Sequence, residues 1–467
     1  MHALRALWID KPFWRKLWTL AVPIIVQNFI VSSLNMVDTL MIGAVGEDAV
    51  AAVGIANQVF YLYNLLLTGV AAGSAVLIAQ YWGARQKENL CRCTGFALLG
   101  VGVLGLVFTL LVTLFPHGLL QLFSRDDAVL ALGVTYIRTV GISYLMSAVT
   151  VTFSSALRST ENTRCPMAGS LIGIALNATL NYIWIFGRLG FSPMGVFGAA
   201  LATVVARLVE MGIILFGALR RGSPLRGKWK HYFTFSTSFA LRMSRTILPV
   251  VCNEGFFGLG TLVYTFIYGL VGTQALAAVQ IYNTVLNLFM VVCFSMGGAA
   301  MVMTGNLIGA GRPQEASDTA HKLTLLAFCI GTVLGITVFF LAPAILALFA
   351  VSQQVRMSTV VMLRIFAVVC PIRSTCSVLL TGVLRGGGDA SYAFKAETGA
   401  MVCISIPLAF VAASIWHLSI EWVMLIVNVE VVTKSVLCLL RLRSGKWMHN
   451  RIDSVLEPCR APAVQEA

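Results

Sequence analysis

One pattern occurs twice in this chain, 226 residues apart, and any fold must accommodate both copies. Gly43, Val45, Gly46, Ala49, Ala51, Ala52, Val53, Ile55 and Asn57 recur as Gly269, Val271, Gly272, Ala275, Ala277, Ala278, Val279, Ile281 and Asn283. The same offset carries Pro23 to Pro249, Thr39 to Thr265 and Gly83-Ala84 to Gly309-Ala310. Each copy sits between two long apolar segments, so the chain reads as one helical membrane unit used twice. Duplicated bundles of this kind, with a site where the halves face each other, build many secondary transporters.

With 58% hydrophobic and 11% charged residues, the 467-residue chain lacks the composition of a soluble surface. Apolar stretches of about 20 residues, enough to cross a bilayer as helices, follow one another with short gaps. They predict twelve spans, at 17–42, 51–80, 94–116, 129–157, 165–187, 194–219, 243–270, 276–308, 321–350, 357–384, 393–416 and 420–443. None alternates in polarity as barrel strands would. The expected fold class is therefore an all-α membrane protein of two six-helix lobes, 17–219 and 243–443. An interfacial segment 1–16, a basic linker 220–242 and a tail 444–467 complete it. Six spans per half make the repeats parallel, related by an axis along the membrane normal.

The net charge of +14 invites a nucleic-acid reading, but its placement argues for topology. Of 33 Lys and Arg, 25 fall on the side of the N-terminus and three opposite, at Arg125, Arg188 and Arg356. The positive-inside rule then makes both termini and the linker cytoplasmic, and nucleic acid is not an expected partner. Arg5, Lys11, Arg15 and Lys16 among Trp8, Phe13 and Trp14 suggest an amphipathic start on the inner interface rather than a cleaved signal. The eleven cysteines show no disulfide or zinc spacing. Gly386-Gly387-Gly388-Asp389 lacks the Gly-Lys-Ser/Thr of a phosphate loop, and no catalytic constellation emerges. The chain is thus expected to be neither an ATPase nor another enzyme, to need no cofactor, and to draw on an ion gradient.

Carboxylates inside a span cost a few kcal/mol and usually do something. Asp38 lies about 31 Å along a helix starting at Leu17, and Glu254 about 16 Å into its own. Their repeat counterparts are Tyr264 and Asn28, so each half carries an acid where the other is neutral. Such a group can trade a proton for Na⁺ or a cationic substrate. Arg207 with Glu210, and Glu430 with Lys434, have the spacing of local helix pairs near the inner interface. Arg373, just after Pro371, is read as pairing with Glu254 or touching an anionic substrate, with a purely structural role as the equal alternative. Pro23 and Pro249 are candidate hinges.

These residues resemble the MATE family of multidrug and toxic compound extrusion antiporters. The matching stretches are Val37-Asp38-Thr39, Ile42-Gly43, the Ala-Ala-Val-Gly entry to the second span, Gly83-Ala84-Arg85, Ala156-Leu157-Arg158, and Gly195 with Gly198-Ala199-Ala200-Leu201-Ala202-Thr203. The resemblance implies a V-shaped pair of lobes, alternating access, and export of amphipathic, often cationic compounds in exchange for H⁺ or Na⁺. DinF-like members hold the coupling cation at positions matching Asp38, Asn177, Asn181 and Thr203. Asn181 is neutral where those members carry a second acid, which favours protonation of Asp38 over Na⁺ there. NorM-like members use a helix-7 Glu, matching Glu254, and a helix-10 Asp that this chain replaces with Pro371-Ile372-Arg373-Ser374. Mixed features of both branches are thus present.

The resulting expectation is a monomeric antiporter of the plasma (inner) membrane, with drugs and toxic organic cations as substrates and the bilayer as its surroundings. The alternative is a lipid-linked oligosaccharide flippase of the same superfamily, which calls for cationic residues in its cavity.

Overall fold

A computed structural model describes residues 10–452 except 348 and 350. The expected interfacial segment up to residue 9 and the tail beyond 452 lie outside the described residues.

Among the described residues the chain is helical throughout, without strands. The helices of the first half are α1 (Lys11–Gly43), α2 (Glu47–Gly83), α3 (Lys87–Leu114), the short α4 (Pro116–Leu120), α5 (Asp127–Val140), α6 (Ile142–Ser159), α7 (Arg164–Phe186) and α8 (Gly195–Leu219). A five-residue helix, α9 (Trp229–Phe233), lies in the linker. Then follow α10 (Thr237–Val271), α11 (Thr273–Gly309), α12 (Pro313–Leu346), α13 (Gln353–Ser377), α14 (Ala390–Ala400), α15 (Ile406–Ser414) and α16 (Ile420–Arg443). Two wider π-helical stretches, Val378–Leu384 and Met401–Ser405, continue α13 and join α14 to α15.

Ten of these helical runs are long and apolar enough to cross a membrane, and the bent pair α5–α6 makes an eleventh. The remaining expected span is α1, 33 residues long and starting at Lys11. Local chemistry explains the breaks. Asp10 precedes α1 and accepts from the Phe13 N–H at 3.1 Å, and Asp126 accepts from the N–H groups of Ala128 and Val129 at 2.9 and 3.2 Å. Gly187 ends α7 in a left-handed conformation, φ +67°, that a side chain would disfavour. The α5–α6 pair turns by 47° at Gly141, where an added Cβ would crowd Val112.

The described residues divide into two compact units, 22–78 with 86–247, and 10–21 with 79–85 and 248–452. The first is built on Tyr63, Leu67, Val101, Val112, Tyr144 and Ala200, all buried, with Tyr63 and Tyr144 stacked 5.0 Å apart. The second centres on Tyr282, Val338, Met362, Phe366, Cys370 and Val423. Small residues bring its helices together: Gly331 and Gly335 of α12 face Ala367, Cys370 and Ser374 of α13 with no room for a Cβ. Between helices in lipid, where apolar burial gives little drive, close backbone approach of this sort is a main source of packing. Large side chains such as Phe216, Leu262, Phe340 and Trp422 point outward, as lipid-facing surfaces do.

Candidate functional site

In the unit that holds the first half, α7 presents Asn177 and Asn181 on one face, four residues apart. Asn181, almost fully buried, donates through Nδ2 to Asp38 Oδ1 at 2.8 Å. The Asn177 amide lies against both carboxylate oxygens, and with its nitrogen on that edge it donates to them at 3.0 and 3.1 Å. With its oxygen on that edge, it donates instead to Thr203 Oγ1 at 3.4 Å. The first orientation suits an ionised Asp38 and the second a protonated one, which must itself donate. Tyr136 of α5 hydrogen-bonds Thr203 and lies near Asp38. The four residues named from the sequence, Asp38, Asn177, Asn181 and Thr203, are therefore brought together, and Tyr136 joins them.

Asp38 opens on a cavity of ≈ 270 Å³ whose walls include Gln27, Asn64, Ser147, Thr150, Arg158 and Glu210. The hydroxyls of Ser147 and Thr150 and the Asn181 Oδ1 are buried without a protein partner. Unpaired polar atoms around a space of that size are what bound water or a polar ligand satisfies. A hydrogen-bond chain runs along the wall: Gln27 Nε2 donates to Ser170 Oγ at 2.7 Å, and Ser170 donates to Glu210 Oε1 at 2.7 Å. Arg207 closes it, 2.8 Å from Glu210 Oε2. The Arg207–Glu210 pair has the expected local geometry, but it lines the same cavity as Asp38 instead of staying a surface feature of one helix. Gln27 and Ser170 were not legible in advance, because neutral residues gain a role only from what they face.

In the other unit, Glu254 pairs with Arg385 at 2.9 Å, with side-chain exposures of 22% and 7%. Arg373 does not pair with Glu254: its Nη2 donates to Asn428 Oδ1 at 2.9 Å, which fits the structural alternative for this residue. Glu254 takes the arginine of the Leu384-Arg385 turn, which matches Leu157-Arg158 in the first half. Lys434 is 2.8 Å from Glu430 Oε1, as its spacing predicts, but it also reaches Glu397 Oε1 at 3.5 Å. The local pair is thus extended into a buried triad. Glu397 falls inside the predicted span 393–416, but close to its start and two residues from Lys395, so its charge reads as part of a polar helix end. Pro23 and Pro249 both lie inside continuous helices, α1 and α10, at matching places.

The Gly386-Gly387-Gly388-Asp389 turn has a structural role. Asp389 accepts from Arg441 Nε at 2.7 Å, and Gln80 and Arg451 bond to the carbonyls of Gly386 and Gly388 at 3.4 and 2.9 Å.

The family model MatE matches the chain twice, over residues 23–183 and 249–411. NorM of Thermotoga maritima, named a probable multidrug resistance protein, is 26% identical over 448 residues, 93% of each chain. The transporter YisQ of Bacillus subtilis is 24% identical over 94% of this chain and 96% of its own. Among solved structures, a variant of the Vibrio cholerae MATE transporter VcmN superposes with a TM-score of 0.85 at 18% identity, covering 97% of this chain and 99% of that one. A MATE structure in a bent conformation matches with a TM-score of 0.83 at 18% identity, over 98% and 99% of the two chains. With one match in each half and relatives aligned end to end, this multi-pass membrane protein belongs to the MatE family of MATE transporters.

Proposed function

We propose that the protein is a secondary antiporter of the plasma membrane that exports amphipathic, often cationic small molecules, with an inward H⁺ or Na⁺ loading at Asp38. The observation that carries the reading is an intramembrane carboxylate held by two amides at the edge of a cavity lined by both polar and apolar side chains. Relatives named multidrug resistance proteins support the substrate class. Asp38 is the coupling group, and Asn177, Asn181 and Thr203 orient it. Glu254 is a second coupling or substrate-contact group, available when it leaves Arg385. Both termini face the cytoplasm, as the placement of Lys and Arg favours.

In this cycle the ion enters at Asp38 from outside, weakens the hold on substrate and leaves inward after the conformational change. Such a switch needs a ligand with different affinity for the two states. A proton bound two pK units more tightly in one state biases it by about 2.7 kcal/mol. Inverting a roughly 1:99 equilibrium takes about 5.5 kcal/mol, so differential substrate binding supplies the remainder. The amides of Asn177 and Asn181 suit a proton better than Na⁺, because a lone carboxylate is the single negative ligand among them.

The lipid-linked oligosaccharide reading calls for a positive cavity. Arg158 and Arg207 do line the space, but Asp38 and Glu210 line it too, so the charges balance. The deciding test is efflux of a fluorescent cationic dye from proteoliposomes under an imposed pH or Na⁺ gradient, with Asp38→Asn and Glu254→Gln beside wild type. Flux lost in Asp38→Asn supports the antiporter and identifies the ion. Folded wild-type protein that moves no dye under either gradient sinks it in favour of the flippase.

A further inference from the structure

Helix α16 places Glu430 and Lys434 one turn apart, about 20 and about 14 Å from its last residue and hence deep in a span. Glu397 approaches from α14 and Asn253 and Tyr264 from α10. Side-chain exposures are 13% for Lys434, 12% for Glu397 and 9% for Glu430. Fully ionised, the triad holds two negative charges and one positive. An uncompensated buried charge is costly, and the cheapest way to remove it is a proton.

The two carboxylates are not equivalent. Glu430 accepts from Lys434 at 2.8 Å on one oxygen and from the Tyr264 hydroxyl at 2.5 Å on the other. Both of its oxygens thus have a donor, one of them cationic, and charge-assisted bonds of this kind are the stronger ones. Glu397 has Lys434 only at 3.5 Å, and its other oxygen accepts from Asn253 Nδ2 at 2.7 Å. The titratable groups around it are Lys434, Glu430 and Cys438 of α16, Cys376 of α13 and Tyr264 of α10.

A second, independent observation concerns Asn253. It is 4% exposed, and its Oδ1 has no partner. The amide therefore carries a buried spare acceptor beside the weakly held carboxylate. Turned over, it would offer that oxygen to a protonated Glu397, which needs an acceptor for its O–H. One side chain thus serves both states of the acid. A metal cation fits less well, because the Lys434 ammonium already stands where such a cation would sit.

We infer that Glu397 is a second proton-binding site, in the half of the chain opposite Asp38, with Asn253 switching its amide and Lys434, Glu430 and Tyr264 as positioning residues. Its use in coupling rests on the antiporter reading; its protonation does not. The test is infrared difference spectroscopy of the full-length protein in lipid nanodiscs, stepped between about pH 8 and about pH 5. The band of interest is the C=O stretch of a protonated carboxyl. In the Asp38→Asn background a band is expected to remain, to vanish on adding Glu397→Gln, and to shift to higher frequency on adding Asn253→Ala. The last variant keeps the acid, so it answers the question if Glu397→Gln does not fold. Absence of the band from Asp38→Asn, or a band indifferent to both added changes, overturns the proposal. Gradient-driven dye flux on the same preparation decides the antiporter reading separately.

Discussion

Tyr264 stands 226 residues beyond Asp38, and its hydroxyl donates to Glu430 Oε2 at 2.5 Å. Where the first half supplies a carboxylate from its first helix, the second supplies a phenol there and brings its acid from the last helix. The duplicated scaffold thus keeps a buried acid contact while exchanging the strand of chain that provides it.

Tyr264→Phe leaves Glu430 with Lys434 alone. Losing a buried hydrogen bond to a charged group costs about 1.5–3 kcal/mol. The variant should melt below wild type in detergent, read by fluorescence-detected size exclusion. Combined with Glu430→Gln it should lose less than the two single losses together, because both changes break one contact.

Asn181→Asp sets a second carboxylate 2.8 Å from Asp38 Oδ1. Two like charges so close do not both ionise without a proton or a cation between them. The pH of half-maximal dye efflux should move alkaline by about one unit or more, as for a coupled acid pair. Na⁺ should stimulate the variant more strongly than wild type. Identical pH and Na⁺ profiles in proteoliposomes would remove Asn181 from the site.

The repeat made the paired helices legible, and Asp38 stood out as an acid inside a predicted span, whereas Asn177, Asn181 and Thr203 were legible only through the resemblance to the MATE family. The partners of charged groups were not legible. Glu254 meets Arg385 rather than Arg373 because partner choice depends on the rotation of each helix about its axis, which neither charge nor depth sets. Asn253 and Gln27, matching positions in the two halves, are neutral amides whose role appears only through Glu397 and Ser170.

Gly331→Ala tests the close contact between α12 and α13. Its Cβ would meet the Cys370 carbonyl oxygen and the Pro371 Cα, both at 2.8 Å. Backbone cannot swing aside as a flexible side chain does, and overpacking of this sort costs about 1–3 kcal/mol. Gly102→Ala, with nothing within 4 Å of the new Cβ, is the control. It should be neutral or slightly stabilising, by the helix propensity of alanine. Equal melting of the two variants would show that the contact relaxes freely.

Asp10 lies before the first helix, and the Lys322 ammonium 2.6 Å away holds its carboxyl below the usual carboxylate range. A carboxyl so depressed adds stability above its unfolded value, near pH 3.9, and loses it as pH falls through the folded value. Both side chains are about a third exposed, so the contribution stays within about 1 kcal/mol. Lys322→Met should therefore melt slightly lower than wild type near neutral pH, and the gap should close at low pH. A gap that widens on acidification would contradict the pairing.

Glu254 and Arg385 allow structure and coupling to be separated. Glu254→Gln alone strands a guanidinium that is 7% exposed, and breaking a buried pair from one side costs about 3–5 kcal/mol. Any loss of transport in that variant is ambiguous, because the fold suffers with it. Glu254→Gln with Arg385→Gln replaces the ion pair by two neutral amides of similar size, and so removes the uncompensated charge. The double variant should regain most of the melting temperature lost by the single one. If Glu254 contacts the coupling ion or the substrate, dye efflux stays depressed even though the protein is again stable. Efflux that recovers together with stability would make the pair a structural brace and leave coupling in this half to other carboxylates.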